Sequence, residues 1–333
     1  MAERRGDRPR SVEPRGAPLP GRTTYLHSPE PVPRWTSGRE CWVFRADSPD
    51  ELCGYHPQLV RSALPPGEAF EYLLYSPLFE GGDGPFRAGG GPGSHAVGIT
   101  PHRFVVSRDP HAGGTPRSVT TLDRDDVWCV QIGCALLLGW LVIRVGGEQG
   151  AQGYTIPFSS RGMSHFRALA RAYRARGPER SAAGGPRVGW DEAWAGTPPY
   201  LRSELEPLTG EGERPLALLR SPERWTAQRG FWRRRSLCTS APGLLVVTSR
   251  GALWAASEPR MRPEGLAFGV KVTVVRPERL AGATIGVRDG LGVLRLRAGE
   301  GAHSHELEVL FDGNDVGQAE EIVRLVREWR GWP

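Results

Sequence analysis

The densest run of residues able to do chemistry is Arg224-Trp225 followed by Arg229, Phe231, Trp232, Arg233, Arg234 and Arg235. A guanidinium group pairs in a planar, bidentate way with phosphate or carboxylate. Aromatic rings set among such groups can stack on bases or enter a lipid interface. The run therefore suits an anionic partner: a lipid surface, an acidic protein face or a single-stranded nucleic acid. Other clusters carry less. His303 and His305 fall on one side of a strand and could begin a zinc or nickel site, but no other Cys or His lies close by in the sequence to complete it. Asp123, Asp125 and Asp126 surround Arg124, a composition that a charged turn requires in any case.

The remaining motifs mostly exclude. Gly91-Pro92-Gly93-Ser94-His95-Ala96 spells G-x-G-x-x-A, but a β-rich segment and Pro101 follow it instead of a helix, so it reads as a loop. Lys271 is the sole lysine, in Gly269-Val270-Lys271-Val272, which removes a P-loop. The five cysteines are scattered with no CxxC, which argues for a reduced setting and against a zinc ribbon or redox pair. No G-x-S-x-G, HExxH or EF-hand pattern occurs. The expectation is a non-enzymatic chain with no cofactor and no metal. It is cytoplasmic, peripheral to a membrane at most, since no apolar run follows Arg4-Arg5. The net charge of +6 is too small over 333 residues to select nucleic acid or membrane. Arginine supplies nearly all of the basic set, as GC-rich coding would produce, so a single Arg carries little functional weight.

The elements that must position these residues repeat. Val119–Gly147 lies over Val272–Glu300 at a shift of 153 without a gap, matching Ile132-Gly133 to Ile285-Gly286 and Leu138-Gly139 to Leu291-Gly292. Ile156 and Phe158 meet Val309 and Phe311 at the same shift, and Ile99-Thr100 meets Val247-Thr248 at 148. Each copy consists of short β runs closed by one helix. Strands are expected in copy 1 at Tyr72–Tyr75, Val97–Thr100, Phe104–Ser107, Val127–Ile132, Trp140–Val145 and Tyr154–Phe158. In copy 2 they fall at Leu216–Leu219, Leu244–Thr248, Leu253–Ala256, Val270–Val275, Ala283–Val287, Val293–Arg297 and Leu307–Phe311. Phe166, Leu169, Ala170 and Tyr173 predict a helix over 164–174, and a capping box at Asp315 and Gln318 opens the second, which Gly331 stops.

The apolar stretch Val127–Val145 imitates a membrane span. Its counterpart in copy 2 carries Arg279, Arg288, Asp289, Arg295 and Arg297, so both read as β-hairpins and no transmembrane span is expected. Residues 1–37, rich in Arg, Pro and Gly, predict a disordered tail. Residues 38–65 hold a short strand at Trp42-Val43-Phe44 and a short capped helix from Ser48 that Pro57 interrupts. Residues 177–211 form a linker pinned by Trp190 and Trp194.

A unit of short antiparallel strands, with a Gly-centred hairpin before the last strand and a C-terminal amphipathic helix carrying Trp329, resembles the pleckstrin-homology-like fold. The resemblance covers 66–176 and 212–330. It implies a mainly β chain of two tandem PH-like bent β-sandwiches or partly open barrels, each capped by one C-terminal α-helix. Such domains are binding or adaptor modules, so the implied partner is a protein or an anionic membrane face, with single-stranded nucleic acid the alternative. In members that bind phosphoinositides, the loop between the first two strands supplies basic ligands. In copy 2 that loop carries Arg224, Trp225, Arg229, Trp232, Arg233, Arg234 and Arg235, whereas copy 1 has Gly-rich Pro77–Ser94 with Arg87 alone.

Overall fold

The computed structural model describes residues 22–26, 42–77, 93–110, 116–146, 152–177, 179–180, 189–229, 234–257, 269–300 and 304–331. The chain is mainly β, in antiparallel sheets with a few helices. The first sheet holds β1 (Arg22–Leu26), β2 (Phe44–Ala46), β3 (Tyr72–Ser76), β4 (Gly93–Ile99), β5 (Arg103–Pro110) and β6 (Arg117–Asp123), in the order β1-β6-β5-β4-β3-β2. The central sheet takes β7 (Val127–Ala135), β8 (Leu138–Val145) and β9 (Gln152–Ser159). It then adds β10 (Pro215–Ser221), β13 (Gly243–Thr248), β14 (Gly251–Ser257) and β15 (Gly269–Val275), in the order β10-β13-β14-β15-β7-β8-β9. A two-stranded hairpin of β11 (Arg224–Arg229) and β12 (Arg234–Ser240) stands between β10 and β13. The last sheet is β16 (Leu280–Arg288), β17 (Leu291–Ala298) and β18 (His305–Phe311).

Among the described residues, five α-helices complete the fold: α1 (His56–Ala63), α2 (Met163–Ala175), α3 (Trp190–Trp194), α4 (Pro199–Leu205) and α5 (Val316–Arg330). The apolar stripe of α2 buries Phe166, Leu169, Ala170 and Tyr173, as its spacing requires. The α5 helix buries Ala319, Ile322, Leu325, Val326 and Trp329 and ends at Gly331, whose φ of 66° only glycine adopts without cost.

Three cores stack through the molecule. One face of the first sheet packs under α1 around Leu59, Val60, Tyr75 and Val119. Its other face meets the central sheet, with α2, α3 and α4 between them. The opposite face of the central sheet meets the last sheet and α5. The central strands are thus covered on both faces, which is why β7 carries a continuous apolar run like a membrane segment. Val127–Val145 is the β7–β8 hairpin, turning at Leu136-Leu137.

A single order of elements recurs. A four-stranded antiparallel run (β3–β6, then β10 with β13–β15) leads into a three-stranded one (β7–β9, then β16–β18) and a helix (α2, then α5). Gly139 and Gly292, at the 153 shift, lie under the rings of Phe158 and Phe311. The central sheet crosses the boundary between the copies, because β7 pairs antiparallel with β15, Ile132 opposite Val272. Side chains bind the same junction: the Gln131 amide donates to Thr273 Oγ1 at 3.2 Å, and Asp125 pairs with Arg276 and Arg279 at 3.3 Å each.

Several local expectations change. The stretch 1–37, expected to be a disordered tail, contains β1, which pairs on β6; the rest of that stretch lies outside the described residues. Pro57 does not interrupt a helix but sits in the first turn of α1, where its missing N–H leaves no bond unmade. The expected capping boxes are not formed. Ser48 and Asp315 make no side-chain cap bond, because a 3-10 turn occupies each position (Pro49–Glu51 and Gly313–Asp315). The linker is ordered where its tryptophans lie: Trp190 and Trp194 stack at 5.0 Å, and Trp190 Nε1 donates to the Glu213 carbonyl at 2.7 Å.

Candidate functional site

The Arg/aromatic run is a β-hairpin and not an open loop. Trp225, Thr226 and Thr239 along β11 and β12 favour extended backbone. The register sets Trp225 opposite Cys238, Gln228 opposite Arg235 and Arg229 opposite Arg234. The structure brings Arg229, Arg234 and Arg235 together on the backbone at the turn end of the hairpin. Phe231, Trp232 and Arg233 lie outside the described residues. Arg224 sits apart at the root, ion-paired with Asp312, and holds the hairpin against the turn after β18. Trp225 is half-buried.

The hairpin shares one end of the central sheet with a second feature. Following the registers across the strands, Ala135 lies opposite Gly269, Val270 opposite Ser257, Ala256 opposite Gly243, and Gly243 opposite Ser221. The β7–β8 tip and the root of β11–β12 therefore emerge from the same end. Three strand spacings, about 14 Å, separate β13 from β7.

At that tip Leu136 is 72% and Leu137 78% exposed. Leu136 holds φ 55°, a left-handed conformation that costs a branched L-residue about 1–2 kcal/mol. The Leu137 carbonyl accepts the Ser160 N–H at 2.9 Å. Next along the chain, the exposed Arg161 lays its guanidinium 5.6 Å from the ring centre of the exposed Trp42. The tip thus joins two aliphatic side chains to an indole and a cation, a composition suited to a lipid interface. Leu136 and Leu137 do not stand out in the sequence, because they continue an apolar run. The available signal is the repeat: the equivalent turn in the last sheet is Asp289-Gly290, ordinary turn residues at φ 53° and 78°.

The other sequence candidates are structural. His305 lies in the junction, its Nε2 3.3 Å from the Gln131 amide nitrogen, and burial pushes its pKa down to about 4. His303 lies outside the described residues, among which no group of three His, Cys, Asp or Glu could hold a metal. Of the aspartates around Arg124, Asp125 pairs across the junction, while Arg124 itself is buried and donates to the carbonyls of Ala172 and Tyr173.

One buried cluster resembles a nucleophile beside a base: His56 Nδ1 is 2.7 Å from Ser107 Oγ, and Nε2 is 2.9 Å from Ser94 Oγ. Burial lowers the His56 pKa to about 3, far from the neutral range where a general base works best. Burial likewise pushes the Cys129 thiol up to about 12, which leaves it unreactive. A cleft of about 550 Å³ is lined by Trp190, Gly210, Glu213 and Arg214 beside the linker. Among the described residues, no helix is long and apolar enough to cross a membrane. No family model, curated protein or solved structure matches the chain.

Proposed function

We propose that the chain is a non-enzymatic binding module of two tandem PH-like units, docking on an anionic membrane face through one end of its central sheet. The recurring order of seven strands and a helix supports the PH-like reading of 66–176 and 212–330. The observation that carries the docking reading is the shared end: the exposed Leu136-Leu137 tip and the root of the Arg-rich β11–β12 hairpin emerge from the same end of the central sheet.

Magnitudes favour the combination over either part. Three arginines near an anionic surface contribute about 3 kcal/mol, a Kd of about 6 mM. Burying two leucines adds roughly 2 kcal/mol each. The sum, about 7 kcal/mol, corresponds to a Kd of about 10 μM. A strained Leu136 is then explained as a residue retained for insertion at a cost in stability.

Flotation with vesicles of phosphatidylcholine alone, and with phosphatidylserine added, tests this. The native chain is expected to float only with the anionic vesicles. The variants Leu136→Asp/Leu137→Asp and Arg229→Ser/Arg234→Ser/Arg235→Ser are each expected to stay behind. Leu136→Gly should weaken flotation and yet raise the melting temperature. Equal flotation with neutral lipid, or variants that float like the native chain, would overturn the reading. A gel shift with single-stranded DNA in the absence of flotation would favour the nucleic-acid alternative.

A further inference from the structure

The β7–β15 junction inside the chain is a template for contact between chains. There the first strand of a three-stranded run joins the fourth strand of a four-stranded run. Each end of the molecule presents one half of the same pairing. At one end, β6 corresponds to β15, Val119 matching Val272 at the 153 shift. At the other, β16 corresponds to β7, Ile285 and Val287 matching Ile132 and Cys134.

The two ends are treated differently. The β6 edge is covered by β1, which runs antiparallel to it with Thr24 opposite Val119, as Ile132 lies opposite Val272 in the junction. The β16 edge has no strand on it among the described residues. Its first part, Leu280–Ala283, is largely buried where α5 packs. From Thr284 to Arg288 it opens, with Ile285 exposed and Val287 81% exposed. Their counterparts show what is missing: Ile132 is buried in the core that β15 and α4 complete. The first sheet carries α1 over Val119, just as α4 lies over β14 and β15 around Val272. An uncapped β6 end would therefore offer β16 both a strand edge and a helix of the kind that the junction uses.

We propose that β16 takes β6 of a second copy of this chain, with β1 as the removable cap that limits the reaction, so that molecules join head to tail. An open apolar edge strand is a ready pairing template. Because the two surfaces differ, the contact is heterologous and can continue into rings or filaments. The contact is independent of lipid docking, since it uses neither Leu136 nor the β11–β12 hairpin.

The test is sedimentation velocity over a concentration series on the full chain. Thr23→Pro/Thr24→Pro uncaps β6: alternate residues of an edge strand direct their N–H groups inward, so one of two adjacent prolines must remove a ladder bond. Loss of about one such bond should strengthen self-association roughly tenfold over the native chain. Adding Ile285→Lys/Val287→Lys, both at exposed positions, should abolish the gain. The proposal fails if the uncapped chain associates no better than the native one, or if association survives the lysines, which would point to β6 pairing with itself. Should the proline pair disturb folding by circular dichroism, hydrogen exchange on the native chain decides. Amides of Thr284–Arg288 should gain protection with concentration while those of Arg22–Leu26 lose it, and unchanged exchange in both would overturn the proposal.

Discussion

Lowering the pH from 7 to 5 should destabilise the chain by about 4 kcal/mol, through His56 at the start of α1 and His95 on β4. His56 is fully buried, its two ring nitrogens bonded to Ser107 Oγ and Ser94 Oγ. His95 is buried beside it with Nδ1 unpartnered. Desolvation first lowers each pKa to about 3, helped by the proximity of His95 to His56 and of Arg108 to His95, where a backbone hydrogen bond to Gly93 works in the other direction. The other groups facing the pair are Asp109, ion-paired with Arg117, and the ring of Tyr75.

The sign follows from linkage. A base whose folded pKa is depressed binds its proton better when unfolded, so its stability contribution is complete above 6.5 and falls as the pH drops toward 3. At pH 5 the unfolded chain is about 1.5 pH units below the ordinary histidine pKa of about 6.5. Each residue therefore loses about 2 kcal/mol at 1.36 kcal/mol per unit. For a chain of this size that amounts to a fall in Tm of roughly 5–10 °C. Calorimetry at pH 7, 6 and 5 measures it, a window that avoids most carboxylate titration. His56→Asn and His95→Asn should each remove about half of the pH dependence, whatever they do to stability at pH 7. A Tm equal at pH 7 and 5, or an unchanged slope in the double variant, would refute the buried-neutral description of the pair.

Two further outcomes are expected from the packing. A Cβ at Gly139 or Gly292 would overlap the ring of Phe158 or Phe311, so either Gly→Ala change should cost about 1–3 kcal/mol in denaturant unfolding. Gly313→Ala, with open space around it, should cost little, and equal effects at the three positions would contradict the repeat geometry. Arg174 and Glu213 form a buried ion pair joined by Thr248. Removing one charge in Glu213→Gln strands the other and should cost about 3–5 kcal/mol, whereas Arg174→Met/Glu213→Leu should recover much of it. A double variant no more stable than the single one would show that the pair itself holds α2 to the linker.

The fold was legible wherever a residue's environment is set by its own strand or helix. The spacing of Phe166, Leu169, Ala170 and Tyr173 marked α2 to within a residue or two at each end, because amphipathic periodicity and burial are the same fact. Most strands of both copies were visible for the same reason, but β6 (Arg117–Asp123) was not among those expected, and the β7–β8 hairpin turns at Leu136-Leu137 between the two glycines that marked it. What the sequence could not show was pairing between distant segments. The partner of β6 is a five-residue strand inside an Arg/Pro/Gly-rich stretch, where composition speaks for disorder and only the open β6 edge speaks for order. The β11–β12 hairpin was hidden in a similar way: its arginines suggested a loop, while Trp225, Thr226 and Thr239 favour extended backbone.

The divergence of the copies then follows from position more than from chemistry. Ile132 and Ile285 lie at matching places in the recurring order, yet one is buried and the other exposed, because β15 and α4 pack against β7 whereas no strand lies on the β16 edge among the described residues. Copy 1 could therefore evolve an apolar strand on both faces, and β7 became indistinguishable by composition from a membrane segment. Copy 2, with nothing described beyond its β16 edge, carries Arg288, Asp289 and Arg295 around the same hairpin, charges that keep an open edge from pairing indiscriminately. The tip of copy 1 breaks this pattern. Leu136 and Leu137 are exposed, touch no second unit and hold a backbone conformation that Asp-Gly would accept more easily. Position within the repeat explains Ile132 and Ile285, but it does not explain two leucines in water. Among the exposed apolar residues, Ile285 and Val287 lie along an open strand edge, whereas Leu136 and Leu137 lie at a turn that edge pairing would not cover.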